Sequence, residues 1–362
     1  MLNKTMPNKT MPNKSMPKKP VPNKKLPAPI KNLIQRFITF TARYPWLMPL
    51  MGFASGLASF FLVERKQEAF AQGISILMLM SWLWLTLEST LSKGVNYWWN
   101  IELPPKAIRY ITQLVQQESL YIVVPFFVMT TTWNSGQAVF TIVLIVAALI
   151  AIIEPVYYKW LAPRRWLYFS FHGITLFAVL LTTLPLLFHL PTPQSYMWSL
   201  FIAALLTCPT AMRNLPFTQW QRRLIVLVLI ITICGLGYLV RPWIPPASLW
   251  LTQVAITDHI NDETKSPTQK LKMISGAQLR KGIYAYTAIH APRGLHERIY
   301  HQWSHNGKKL DKIALNIKGG REQGYRAWSQ KMNFPEDVAG HWKITVMTEA
   351  NQVIGVLRFE VE

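Results

Sequence analysis

The sequence predicts an α-helical membrane bundle of about seven spans followed by an all-β, immunoglobulin-like sandwich. Three observations carry this expectation. Residues 44–241 are a succession of apolar runs, several as long as the roughly 20 residues that cross a hydrocarbon core about 30 Å thick. From about Ala247 the composition changes to short alternating runs rich in β-branched and aromatic residues. Finally, a net charge of +21 coexists with 51% hydrophobic residues and 15 Trp. That combination is contradictory for one globular core, and sensible where apolar and basic residues occupy different segments.

The basic residues open the chain. In 1–43, Lys4, Lys9, Lys14, Lys18, Lys19, Lys24, Lys25, Lys31, Arg36 and Arg43 meet no acidic residue. The pentad Asn3-Lys4-Thr5-Met6-Pro7 recurs at 8–12 and 13–17, and degenerately at 23–27. Proline at that spacing blocks helix, and too little apolar surface is present to offset ordering, so the expectation is a disordered tail. The charge has no RNA-binding motif or basic helix behind it, and no nucleic-acid partner is implied.

The expected spans follow at 46–63, 70–91, 120–133, 137–153, 166–190, 196–212 and 224–240. The first carries Gly52-x-x-x-Gly56 with Ser55 and Ser59, a stripe that admits close helix approach. Tyr97, Trp98 and Trp99 form an interfacial aromatic cluster after the second. Pro104 and Pro105 then introduce Ala107, Ile108, Ile111, Leu114 and Val115 at helical spacing, opposite Arg109, Gln113, Gln116 and Gln117. This segment reads as an amphipathic helix lying on the membrane surface. Cys208 and Cys234 fall inside spans and read as small apolar fillers.

Loop charge supports the orientation. Alternate connections carry Lys93, Lys106 and Arg109, then Lys159, Arg164 and Arg165, then Arg213, Arg222 and Arg223. Those around Asn134 and Pro191 carry none, and in the first outer loop Arg65 and Lys66 are offset by Glu64 and Glu68. The asymmetry places the N-terminus in the cytoplasm. An odd number of spans places the C-terminal region outside, which is the periplasm in a Gram-negative cell. The expected location is a bacterial inner membrane.

Residues 242–281 read as a linker plus a first strand, with a polar loop at 258–267. Residues 282–362 read as the sandwich, with strands at 282–289, 297–304, 312–317, 324–329, 341–348 and 353–361. Turns at Asn306-Gly307, Gly319-Gly320 and 349–351 punctuate them.

Within this region four motifs stand out: Tyr300-His301-x-Trp303-x-His305-Asn306-Gly307-Lys308, Gly319-Gly320-Arg321-x-x-Gly324-Tyr325-Arg326-x-Trp328-Ser329, Gly340-x-Trp342-x-Ile344-x-Val346 and Ile354-Gly355-x-Leu357-Arg358-Phe359. Together they resemble a bacterial domain family known as domain of unknown function 2914. The preceding spans look like the multi-span region found ahead of this domain in some proteobacterial membrane proteins. The resemblance implies an inner-membrane protein with an exported β-domain and carries no activity with it. The turn at Asn351-Gln352 departs from the pattern in lacking glycine.

Candidate chemistry divides between the two regions. Trp303, Arg321, Tyr325, Arg326 and Trp328 are the binding candidates, because aromatic faces stack on sugar rings and guanidinium groups grip carboxylates or phosphates. At strand spacing Arg326 and Trp328 share one face and Tyr325 and Ala327 the other; Trp342, in phase with Ile344 and Val346, reads as core. Glu88, Glu154 and His172 are the ionisable residues nearest to span interiors, with ion pairing at the membrane boundary the expected role. Six of the eight histidines lie beyond residue 250. His301 and His305 stand about 13 Å apart along a strand, too far for one metal ion, and no metal or other cofactor is expected. There is no GxSxG, P-loop or HExxH motif and no plausible carboxylate pair. The expected function is an anchored module that binds an envelope component, such as a glycan, or a partner protein. The alternative is a transporter or membrane-embedded enzyme with its site in the bundle.

Overall fold

The structure is a computed structural model and describes residues 43, 54, 58, 72–83, 85, 105–212, 216–261, 263–271, 273–291, 295, 297–320 and 324–362. The repeat tail, most of the first expected span, the cluster at Tyr97, Trp98 and Trp99, and the candidates Glu88 and Arg321 lie outside the described residues.

A helical region precedes a β-rich one. Its described helices are α1 (Gln72–Leu83), α2 (Pro105–Thr130), α3 (Gln137–Ile152), α4 (Arg165–Phe188), α5 (Thr192–Met212) and α6 (Gln219–Val240). A π-helical turn at Val156–Leu161 links α3 to α4, and a 3-10 turn at Arg241–Trp243 extends α6. Three described helices are long and apolar enough to cross a membrane: α4, α5, and α6 with its terminal turn. At 16 residues α3 is shorter than a span. Thr218 and Gln221 start α6 with a reciprocal capping box, each side chain bonded to the other's backbone N–H. Leu224, Leu227, Val228, Ile231, Leu236 and Leu239 along α6 are exposed. An apolar strip of that length belongs against hydrocarbon rather than water.

One expectation is overturned. The segment expected to lie on the membrane surface is the first half of α2, a single helix running through to Thr130. Gln113, Gln116 and Gln117 are buried, at 4%, 0% and 6% exposure. Their shared face points into the bundle because α3, α4 and the π turn supply hydrogen-bond partners there.

The β-rich region holds β1 (Trp250–Thr257), β2 (Ile260–Asn261), β3 (Ser266–Pro267), β4 (Met273–Ile274), the short helix α7 (Gly276–Arg280), β5 (Ile283–His290), β6 (Ile299–His305), β7 (Lys308–Ala314), β8 (Lys318–Gly320), β9 (Gly324–Lys331), β10 (Gly340–Thr348) and β11 (Val353–Val361). One sheet runs β1-β5-β9-β8, a second β4-β11-β10-β6-β7, and β2-β3 form a separate hairpin. Alternate residues of the two larger sheets meet in one core. Ile256, Ile283, Ala285 and Ile289 come from the first, and Ile299, Trp303, Trp342, Ile344, Leu357 and Phe359 from the second. The stretch read as linker plus one strand is more built than expected, since β1, the β2–β3 hairpin, β4 and α7 all lie within it.

Turn chemistry explains the connections. Asn306 and Gly307 have φ of 45° and 83°, which suits the tight β6–β7 hairpin. Asn351 adopts φ 63° where glycine was expected, a conformation that asparagine tolerates better than most residues. Gly355 is glycine for another reason: a Cβ there would collide with the Leu251 side chain crossing from the other sheet.

Candidate functional site

The chemistry-bearing residues collect in three places. The first is β9. Its inward face carries Ala327 and Ser329, 0% and 3% exposed, with half-buried Tyr325 packed on the sheet-to-sheet core. Its outward face carries Arg326 and Trp328, as the alternation requires. Trp328 lies opposite Tyr286 on β5 and, with Tyr284, covers a small cluster of Ala255, Ile260, Tyr286 and Ala288. Arg326 donates through Nη1 to the carbonyl of Thr264 in the β2–β3 hairpin, which folds over this face. Burial raises the Tyr286 phenol pKa, and the Arg326 charge partly opposes that rise. The result is a half-covered patch of one guanidinium and two aromatic rings, Tyr284 and Trp328, over the enclosed Tyr286.

Trp303 does not belong to that patch. It is wholly enclosed, 6.5 Å from Trp342 and 6.4 Å from Phe359 by ring centres. In phase with the buried Ile299 and His301, it lies on the inward face of β6, so no face is left for a ligand, and it is a core residue rather than a stacking platform.

His301, two residues earlier, is equally enclosed. Trp303 Nε1 donates to Ser329 Oγ at 3.1 Å, and Ser329 lies 2.8 Å from His301 Nδ1. His301 Nε2 lies 3.2 Å from Thr287 Oγ1, which donates to the carbonyl of Ala327 at 3.3 Å. Burial disfavours the charged ring and pushes its pKa down to about 3. In the neutral ring Nε2 carries the proton toward Thr287, whose own proton goes to Ala327, and Ser329 donates to Nδ1. Among the described residues no three metal-ligating side chains cluster.

The second place is inside the bundle. Tyr157, set on the π turn, donates to Gln116 Oε1 at 2.6 Å, and Gln116 Nε2 lies 3.0 Å from His172 Nδ1. Because the amide must donate there, His172 accepts at Nδ1 and its proton sits on Nε2. The Trp82 ring meets His172 edge-on at 4.7 Å, and Trp82 Nε1 donates to Ser119 Oγ at 2.8 Å. Gln113 Nε2 donates to the carbonyl of Ala151 at 2.9 Å, leaving Gln113 Oε1 buried without a partner among the described residues. Glu154, read with His172 as one of the ionisable residues nearest to span interiors, is exposed just before the π turn.

The glutamines were missed as site residues because their segment was cut at Gln117. Their i, i+3, i+4 spacing was the signal that could have found them.

The third place is the seat of the β-rich region on the bundle. Gln137 Nε2 donates to the carbonyl of Val353 at 2.7 Å, and Arg358 to that of Asn134 at 3.2 Å. Glu297 accepts through Oε1 from both the backbone N–H and the hydroxyl of Thr192. Gln352 Nε2 donates to the carbonyl of Ile244 at 3.4 Å. Trp243 packs against Gly136, where a Cβ would stand 3.1 Å from its ring. All these bundle groups lie at one end, formed by the α2–α3 turn, the α4–α5 turn and the close of α6.

Two family profiles divide the chain. That of a protein of unknown function, DUF2914, matches residues 296–361, which hold β6 to β11. Comparison with curated proteins gives no match. The other profile, that of a family of unknown function, matches residues 27–285, covering the helical region and the β-rich region as far as the start of β5. With well over half its length so matched, the chain belongs to the DUF5924 family.

Proposed function

We propose that the chain is a multi-span protein of a bacterial inner membrane, with about seven crossings and a cytoplasmic N-terminus. Its β-rich region, an immunoglobulin-like sandwich, stands in the periplasm and binds an envelope component or a partner protein. One observation carries the reading. The β-rich region is hydrogen-bonded to the bundle end whose turns, at 131–136 and 189–191, hold no Lys or Arg. The opposite end holds Lys159, Arg164, Arg165, Arg222 and Arg223. Basic connections stay in the cytoplasm, so the charge-poor end and what sits on it face outward. The patch of Arg326, Trp328 and Tyr284 supplies the recognition chemistry, suited to a glycan that also carries a carboxylate.

Fusing an export-dependent reporter after Glu362 tests the orientation: activity there, with silence from a cytosolic reporter, is expected, and the reverse pattern ends the reading. Binding is tested by retaining the detergent-solubilised full chain on isolated cell-wall fragments. Retention lost with Arg326→Ala supports the patch, and no retention of the unaltered chain by any envelope fraction counts against it.

A second reading, a transporter or membrane-embedded enzyme, is favoured by the Tyr157–Gln116–His172 array. It expects His172→Ala to abolish the cellular phenotype while the protein still inserts. Unchanged phenotype in that variant rejects it.

A further inference from the structure

Where the last membrane-length helix meets the β-rich region, three enclosed polar groups lack partners among the described residues. Arg241 is 6% exposed, and neither its Nε nor its Nη2 has an acceptor. The guanidinium stands 5.0 Å from the centre of the Tyr196 ring, and Tyr196 is itself held by donating to the carbonyl of Gly237 at 2.6 Å. Nearby, Glu297 uses Oε1 for Thr192 and leaves Oε2 enclosed without a donor. Gln352, 0% exposed, donates to Ile244 and leaves its Oε1 equally bare.

Arg241 and Glu297 sense one another's charge, yet they do not close into an ion pair. The groups therefore ask for two opposite things at once. The guanidinium needs an anionic acceptor, and the two oxygens need a cationic or N–H donor. Two separate solutes would have to be ordered together, whereas one zwitterion meets both demands. Beside Arg241, Leu239, Val240 and Trp243 are exposed at 72%, 43% and 56%. That is apolar surface on which acyl chains can lie.

We propose that Arg241, Glu297 and Gln352 form a headgroup site for a phospholipid that carries a primary ammonium. The phosphate accepts from Arg241 Nε and Nη2, and the ammonium donates to Glu297 Oε2 and Gln352 Oε1. A choline headgroup fails the second demand, having no N–H, and a glycerol headgroup brings no cation. The site joins bundle to β-rich region, so the bound lipid strengthens the seat. The inference rests on the reading of α6 as a membrane span.

The test uses the full chain reconstituted in nanodiscs of phosphatidylcholine alone, or doped with phosphatidylethanolamine or phosphatidylglycerol. Lipid carried through delipidation is read by native mass spectrometry, and the thermal midpoint is read beside it. Phosphatidylethanolamine should be retained about tenfold over the other two, as befits the extra charge-assisted bonds, and should raise the midpoint. Glu297→Gln keeps the shape and the Thr192 contact but should erase the preference, as should Arg241→Gln. Soluble phosphoethanolamine should compete with the lipid, whereas inorganic phosphate should not. Equal retention of the three lipids, a preference that survives Glu297→Gln, or full competition by inorganic phosphate overturns the proposal. A chain that never enters the discs would instead sink the membrane reading itself.

Discussion

Both halves of this molecule bury a neutral histidine in a polar chain, and they finish the chain differently. In the β-rich core, Trp303, Ser329, His301, Thr287 and the Ala327 carbonyl form one directed series in which each hydrogen has an acceptor. In the bundle, Tyr157, Gln116 and His172 form a comparable series, yet one turn away Gln113 Oε1 has no partner among the described residues. A core excluded from water by two sheets must satisfy such groups, because each orphan costs about 1–3 kcal/mol. A helical bundle in lipid tolerates them more easily, since its reference state is also dry and also finds partners. The closed series completes its own hydrogen bonds, and the open one leaves an acceptor unmatched among the described residues.

The largest effect that sharpens this contrast should come from Ser329→Ala. It disconnects both Trp303 Nε1 and His301 Nδ1, and should destabilise the β-rich region by about 3 kcal/mol. Faster amide hydrogen exchange in β6 and β9, with the helices unaffected, is the expected observation. Acid probes the same series. His301 is held near 3 in the fold against 6.5 in an unfolded chain, so the unfolded state binds the proton first. The stability that His301 contributes is full above about pH 6.5 and is lost as pH falls, by about 2 kcal/mol between pH 7 and 5. Denaturant midpoints of the β-rich region across that range should show the slope, and His301→Gln should flatten it.

A smaller effect is expected in the bundle. Gln116→Leu also disconnects two groups, but hydrogen bonds between membrane helices average only about 0.6 kcal/mol, so the loss should be near 1 kcal/mol. Thermal unfolding in detergent measures it. A loss as large as that of Ser329→Ala would erase the distinction between the two regions. Smallest of all, Arg358→Ala removes an exposed bond to the Asn134 carbonyl, and should cost less than about 0.5 kcal/mol by the same measurement.

Much of the architecture was readable in the residues. The apolar runs that became α4, α5 and α6 carry length and composition that only a helix buried in apolar surroundings accommodates. The alternation along β9, β10 and β11 separated inward from outward side chains before any contact was known, and it holds for Arg326, Trp328 and Trp342 alike. Trp303 shows the limit. Its place on a strand was legible, but which side of that strand another sheet would cover was not.

Local pattern thus determined the division of the chain into an apolar helical stretch and a β-rich one, along with the turns at Asn306-Gly307 and Asn351. Both depend on interactions within a few residues: side-chain period, hydropathy and the φ each residue tolerates. Only tertiary structure decided that the glutamine face of α2 turns inward and that His301 is enclosed. It also decided that Glu297 reaches Thr192 and Gln352 the carbonyl of Ile244, although 105 and 108 residues separate these pairs. Those outcomes depend on which distant segment comes to lie opposite, and no local period records that.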